Sequence, residues 1–157
     1  MFFYRHARHF TVPVDQAAVP QARRLARAAL SDWGSALGDQ LVDTIMLIVT
    51  ELVTNSVLHA GDRTSCVDVT LRLRDGRLTV EVRDDHPSRP SLNGAAAGDE
   101  HGRGLYIVHH LAGERGGCVR VQTCAERPGK VVVVELETGT MMYAWRGALA
   151  EPVAVAS

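Results

Sequence analysis

The sequence has no surplus of either charge: 17 Lys and Arg stand against 18 Asp and Glu, a net charge of -1 over 157 residues. Binding to a phosphate backbone draws on a basic excess, so no direct nucleic-acid partner is expected. No apolar run approaches the ~20 residues that span a bilayer. The opening Met1-Phe2-Phe3-Tyr4-Arg5-His6 is broken by charge and lacks the apolar stretch of a secretory signal, so no membrane segment is expected. Cysteine is scarce. Cys66, Cys118 and Cys124 form an odd, widely spaced set without a CxxC. That pattern excludes a disulfide framework and a zinc site, and suits reduced structural thiols in a cytoplasmic protein. No GxxxxGK[ST] stretch occurs, which excludes a P-loop. Neither an internal repeat nor a second domain is visible.

What is present fits one globular domain. Hydrophobic residues make up 46% and charged residues 22% of the chain, close to globular averages. A domain of this length removes roughly 68–70% of its unfolded surface from water, enough for a core without staples.

Along the chain, residues 9–14 read as a short strand that Pro13 confines to a sheet edge. From Pro20 to Trp33, Ala22, Leu25, Ala26, Ala29, Leu30 and Trp33 recur at helical spacing, and Gly34 suits the stop. A second helix is predicted from Asp39 to Ala60, ended by Gly61. Residues 66–84 read as a hairpin about Asp75-Gly76. Counting outward from that turn pairs Leu73 with Leu78, Leu71 with Val80 and Val69 with Val82, so every inward position meets an apolar one. Residues 86–103 form a long irregular loop, of a length usually tied to function. A helix over 105–112, stopped by Gly113, precedes two strands near 119–123 and 131–137, joined through Pro128-Gly129. Residues 138–157 have no convincing periodicity and are read as a C-terminal extension. The predicted class is α+β: a two-layer sandwich whose mixed, mostly antiparallel sheet is covered on one face by helices.

Three features interrupt this apolar patterning. Glu51, Asn55 and His59 fall at i, i+4 and i+8 of the second helix, with Glu51 and Asn55 at the margin of its buried stripe. Unpaired burial of such groups costs roughly 1–3 kcal/mol each, so they need partners. Asp84 shares the inward parity of Leu78, Val80 and Val82, and an inward carboxylate needs a donor or a cation. Asp85, of opposite parity, reads as solvated. Gly102-Arg103-Gly104 opens a helix, where free N–H groups and the helix dipole favour an anion. His101, His109 and His110 lack the companions of a metal set and read as solvated. Neither Cys118 nor Cys124 carries a mark of an activated nucleophile.

Glu51-Leu52-Val53-Thr54-Asn55-Ser56-Val57-Leu58-His59-Ala60 resembles the N-box of the GHKL (Bergerat-fold) ATPases, closest to the small anti-sigma-factor serine kinases and related single-domain bacterial regulators. Val82-Arg83-Asp84 falls where that family carries its adenine-reading Asp. Gly102-Arg103-Gly104-Leu105 resembles its second glycine box, and the stretch from Gly129 to Leu136 its closing strand. The resemblance spans about 10–137. It implies ATP and Mg²⁺ as cofactors, with Asn55 on the metal, Glu51 as general base and Asp84 on the adenine amino group. It further implies that His86 edges the nucleotide site and that residues 86–103 form a lid. Arg103, or the amides of Gly102, Gly104 and Leu105, would then lie near the phosphates. An anti-anti-sigma-type protein phosphorylated on Ser or Thr, a sigma factor and a homodimer are the implied partners, with Met141 to Trp145 a candidate partner surface.

Two departures from that pattern are visible. Glycines two and four residues after the Asp are replaced by His86 and Ser88, and the Thr that supports the Asp is expected to be replaced by Val131. They motivate an alternative, a non-catalytic nucleotide-sensing or protein-binding module on the same scaffold. A histidine-kinase catalytic domain is disfavoured at this stage, because no phosphoacceptor hairpin is visible.

Overall fold

The computed structural model describes residues 6–34, 37–60, 62–87, 103–126 and 128–139. Its elements in order are β1 (His6–Pro13), α1 (Ala18–Asp32), α2 (Asp39–Ala60), β2 (Cys66–Arg74), β3 (Arg77–Asp84), α3 (Arg103–Glu114), β4 (Cys118–Thr123) and β5 (Lys130–Glu137). The strands form one sheet in the order β1-β2-β3-β5-β4. Every neighbouring pair is antiparallel, so the expected mixed sheet is corrected to a wholly antiparallel one. The reason is topological: the chain never returns to a neighbouring strand in the same direction. The class itself, α+β with helices layered on a sheet, is as expected.

The β2–β3 hairpin has the predicted register, Val69↔Val82, Leu71↔Val80 and Leu73↔Leu78. Asp75 (φ 48°) and Gly76 (φ 76°) both take positive φ, as a two-residue turn matched to strand twist requires. Along β2, β3 and β5 the residues facing the helices are buried: Val67, Val69, Leu71, Leu78, Val80, Val82, Val132, Val134 and Leu136. The opposite face, Val131 and Val133 apart, is polar and carries ion pairs, among them Arg72–Glu81, Arg83–Asp68 and Arg120–Glu135. A sheet with one packed and one wet face gives this alternation.

Some predicted boundaries move. β1 starts three residues earlier than predicted. α3 starts two residues earlier, runs through Gly113 and ends at Glu114, two residues later than predicted. There Gly116 N donates to the Gly113 carbonyl, and Gly117 N donates to that of Ala112. Gly116 holds φ 61°, and this paired motif closes the helix more completely than a stop at Gly113 would.

α2 is the central element. Leu41, Ile45, Ile48, Val49, Leu52 and Val53 are all buried, and the helix packs on β2 and β3 with α1 and α3 beside it. Being covered on several sides, it carries a wide apolar surface. By length and composition alone, Asp39–His59 is long and apolar enough to cross a membrane, which corrects the expectation that no stretch approaches that length. In the fold this surface is the centre of the core. Each buried Ile, Leu or Val contributes roughly 1.5–3 kcal/mol. Six such side chains outweigh any polar contact at the stripe's edge, and they fix which way Glu51 and Asn55 point.

Residues 88–102 and 140–157 lie outside the described residues, and with them the expectations for Ser88, the lid, His101, Gly102 and the segment from Met141 to Trp145.

Candidate functional site

The rotation of α2 sets the site. Glu51 and Asn55 are half-buried and neither makes a hydrogen bond or ion pair among the described residues, while His59, a turn further on, is exposed. Both face the first turn of α3. A Cβ placed on Gly104 would lie 2.6 Å from Glu51 Oε2 and 3.7 Å from Asn55 Oδ1. A side chain at 104 would displace the Glu51 carboxylate from its present position. Three predicted site residues thus converge: a carboxylate, a carboxamide and a glycine on the N-terminal turn of a helix.

Arg103, the first residue of α3, is exposed. Leu105 belongs to the core, 5% exposed, so only its backbone N–H is available to a ligand.

One residue past Asn55, Ser56 is buried and its Oγ donates to Asp84 Oδ2 at 2.8 Å. Asp84 ends β3 facing inward, 3% exposed, as its parity predicted. Its other oxygen, Oδ1, accepts from Lys130 Nζ at 2.8 Å and from the His86 backbone N–H at 3.0 Å. Lys130 reaches one more acceptor, the His86 carbonyl, at 3.5 Å. His86 therefore touches the cluster through its backbone. Gly129 seals the edge: a Cβ there would lie 2.5 Å from the Asp84 carbonyl oxygen.

Two of these contributors escaped the sequence analysis. Val131, expected beside the Asp, stands across the ladder from Arg83, and the residue opposite Asp84 is Lys130. Facing positions alternate along a strand, so an offset of one residue moves the side chain to the other face. The signal was available, since Lys130 shares the parity of Val132, Val134 and Leu136. Ser56 lies on the buried side of α2, and no local spacing in the sequence points to its partner.

Behind the strand end, Arg83 holds the outer face. Its guanidinium meets Cys124 Sγ at 3.5 Å, Asp85 Oδ1 at 3.2 Å and Asp68 Oδ2 at 3.4 Å. The hydrogen bond to Cys124 comes first in raising the Arg83 pKa. Burial opposes it, and the charges of Cys124, Asp85 and Asp68 add to the rise. Asp85, expected to be solvated, is tied to Arg83 and, through its N–H, to Thr64 Oγ1 at 3.0 Å.

Among the described residues, no three His, Cys, Asp or Glu side chains group as a metal set. His110 is exposed and pairs with Glu114 at 3.3 Å. His109 departs from the solvated reading: its Nε2 is buried and unpartnered among the described residues. The donors at the α2–α3 junction are oxygens, Glu51 Oε2 and Asn55 Oδ1. One or two oxygen ligands suit Mg²⁺, which keeps several of its waters and takes the rest of its shell from phosphates. The residues present therefore fit a nucleotide-borne Mg²⁺.

Comparison with known proteins bears on the family and the fold. A family model described as a histidine kinase-like ATPase domain matches residues 12–135. No curated protein matches significantly. Among solved structures, the chain is similar to the histidine kinase domain of a blue-light activated histidine kinase from Erythrobacter litoralis, at 25% identity and a TM-score of 0.50. That match covers 81% of this chain and 62% of the other. It is also similar to full-length ShkA in complex with AMPPNP, at 23% identity and a TM-score of 0.54, covering 83% of this chain and 32% of the other. A third similarity is to the catalytic domain of the histidine kinase ThkA, at 14% identity and a TM-score of 0.52, covering 83% and 97%. The chain thus spans less than two thirds of the first two.

Proposed function

The chain belongs to the histidine kinase-like ATPase family, within the GHKL superfamily, and on that premise we propose that it binds Mg·ATP and transfers the γ-phosphoryl group to a Ser or Thr of a small anti-anti-sigma-type protein, so controlling the availability of a sigma factor. The observation that carries the reading is the convergence of Glu51 and Asn55 on Gly104, with Asp84 held through Ser56 one residue further along the same helix.

In this reading the purine lies against Asp84 and the phosphates against the first turn of α3, whose free N–H groups and dipole favour negative charge. Asn55 would supply an oxygen to Mg²⁺. When bound there, the metal would supply charge neutralisation to the phosphates. Glu51 accepts the proton of the attacking hydroxyl as its oxygen bonds to the γ-phosphorus, and the bond to the bridging oxygen of ADP breaks. Phosphoryl transfer depends mainly on positioning and charge neutralisation, so a few well-held groups suffice. The core packing of α2 supplies that hold.

A second reading has its own observation. Asp84 already accepts three hydrogen bonds from within the chain, which favours a nucleotide sensor or protein-binding module without transfer. Incubation with γ-labelled Mg·ATP and an anti-anti-sigma-type protein separates the two. Acid-stable label on the partner, lost in Glu51→Ala, supports the kinase. Binding without label supports the sensor. Acid-labile label on a histidine overturns the Ser/Thr assignment.

A further inference from the structure

We propose that Lys130 is a base-reading residue: with Asp84 it forms a donor–acceptor couple that recognises two neighbouring atoms on the edge of a purine, not the amino group alone. The inference rests on the nucleotide reading above and deepens it to the choice of base.

It follows from counting valences. An ionised carboxylate offers about four lone-pair sites. Among the described residues, two donors, Lys130 Nζ and the His86 N–H, use Oδ1 of Asp84, while only Ser56 Oγ uses Oδ2. Oδ1 is full, and Oδ2 accepts one more donor. An ammonium carries three N–H groups. Lys130 points two of them at Asp84 Oδ1 and the His86 carbonyl, which leaves one. Its side chain is 9% exposed and pinned opposite Asp84 by the strand register, so this donor stays in the cluster. Among the described residues one acceptor on Asp84 and one donor on Lys130 therefore remain, on two groups already in contact.

The chemistry that complements such a couple is a donor adjacent to an acceptor on a planar ring. Adenine presents its amino group beside N1. Hypoxanthine presents N1–H beside O6. Only adenine matches in this order: in hypoxanthine O6 would face the Asp84 carboxylate and N1–H the Lys130 ammonium, acceptor on acceptor and donor on donor. Guanine shares that reversed order. The expected order is ATP first, with ITP and GTP both much weaker.

The test uses the full chain and three Mg²⁺ nucleotides in calorimetric titrations: ATP, ITP, and 1-deaza-ATP, in which C–H replaces the N1 acceptor. The wild type is expected to bind 1-deaza-ATP at least about tenfold more weakly than ATP, the scale of one charge-assisted hydrogen bond, and ITP about a hundredfold more weakly. In Lys130→Met the gap between ATP and 1-deaza-ATP closes, and that between ATP and ITP narrows by about tenfold. Wild-type protein that binds 1-deaza-ATP as tightly as ATP overturns the role of Lys130 but leaves the nucleotide reading standing. Protein that binds none of the three overturns both. The wild-type titrations decide the matter even where Lys130→Met does not fold.

Discussion

Lys130 and Asp84 face each other across the β3–β5 ladder, with Nζ 2.8 Å from Oδ1 and both side chains almost wholly out of water. A charge pair buried in this way is held together by the cost of separating it. Removing one partner leaves the other charge uncompensated, which typically costs 3–5 kcal/mol, whereas removing both charges is often close to neutral. Lys130→Met is therefore expected to lose about 3–5 kcal/mol in urea unfolding, and Lys130→Met with Asp84→Asn to recover at least half of it. A single variant as stable as the wild type would show that the pair is not closed in solution.

Ser56 donates into the same carboxylate from α2. Ser56→Ala removes one hydrogen bond to a charged acceptor and leaves little volume to fill, so a loss of about 1.5–3 kcal/mol is expected by the same unfolding measurement. A change below about 0.5 kcal/mol would fit an ordinary exposed position and would contradict the buried contact.

Gly104→Ala tests the α2–α3 junction. The added Cβ would stand 2.6 Å from Glu51 Oε2, so the carboxylate must turn aside. Folding stability is expected to change by about 1 kcal/mol or less, since Ala is a better helix former than Gly. Transfer from Mg·ATP falls by about a hundredfold, on the scale expected for a misplaced catalytic group. Unchanged turnover in the folded variant would separate Glu51 from the reaction.

On the proposed roles, variants of Glu51 and Asn55 separate chemistry from metal. Glu51→Gln is expected to keep Mg·ATP affinity within about threefold and to lower transfer by 10²–10⁴, the usual range for a general base. Asn55→Ala weakens Mg·ATP about tenfold but leaves metal-free ATP nearly unchanged. An Asn55→Ala variant with full Mg²⁺ dependence would remove Asn55 from the metal.

Much of this was legible because a few local rules decide it. The hairpin register follows from one turn and the apolar alternation on both sides of it, and Asp84 inherits its inward direction from that register. The stripe of α2 fixes Glu51 and Asn55 at its margin. The Asp84 cluster was harder to read. Its side-chain partners lie 28 positions before it on α2 and 46 after it on β5, and parity along β5 is counted from the ladder, not from the Gly129 turn. One step of error put Val131 where Lys130 stands. The stop of α3 was misplaced for a related reason: Gly113, Gly116 and Gly117 all offer a helix end, and only the backbone bonding to Ala112 and Gly113 selects between them.

The most direct measurement is a calorimetric titration of Mg·ATP into the intact protein, beside Asp84→Asn. The predicted result is saturable one-to-one binding with a dissociation constant below about 1 mM, weakened at least about tenfold by the substitution. A flat titration of folded wild-type protein at millimolar nucleotide, or equal affinity in the two proteins, would contradict it.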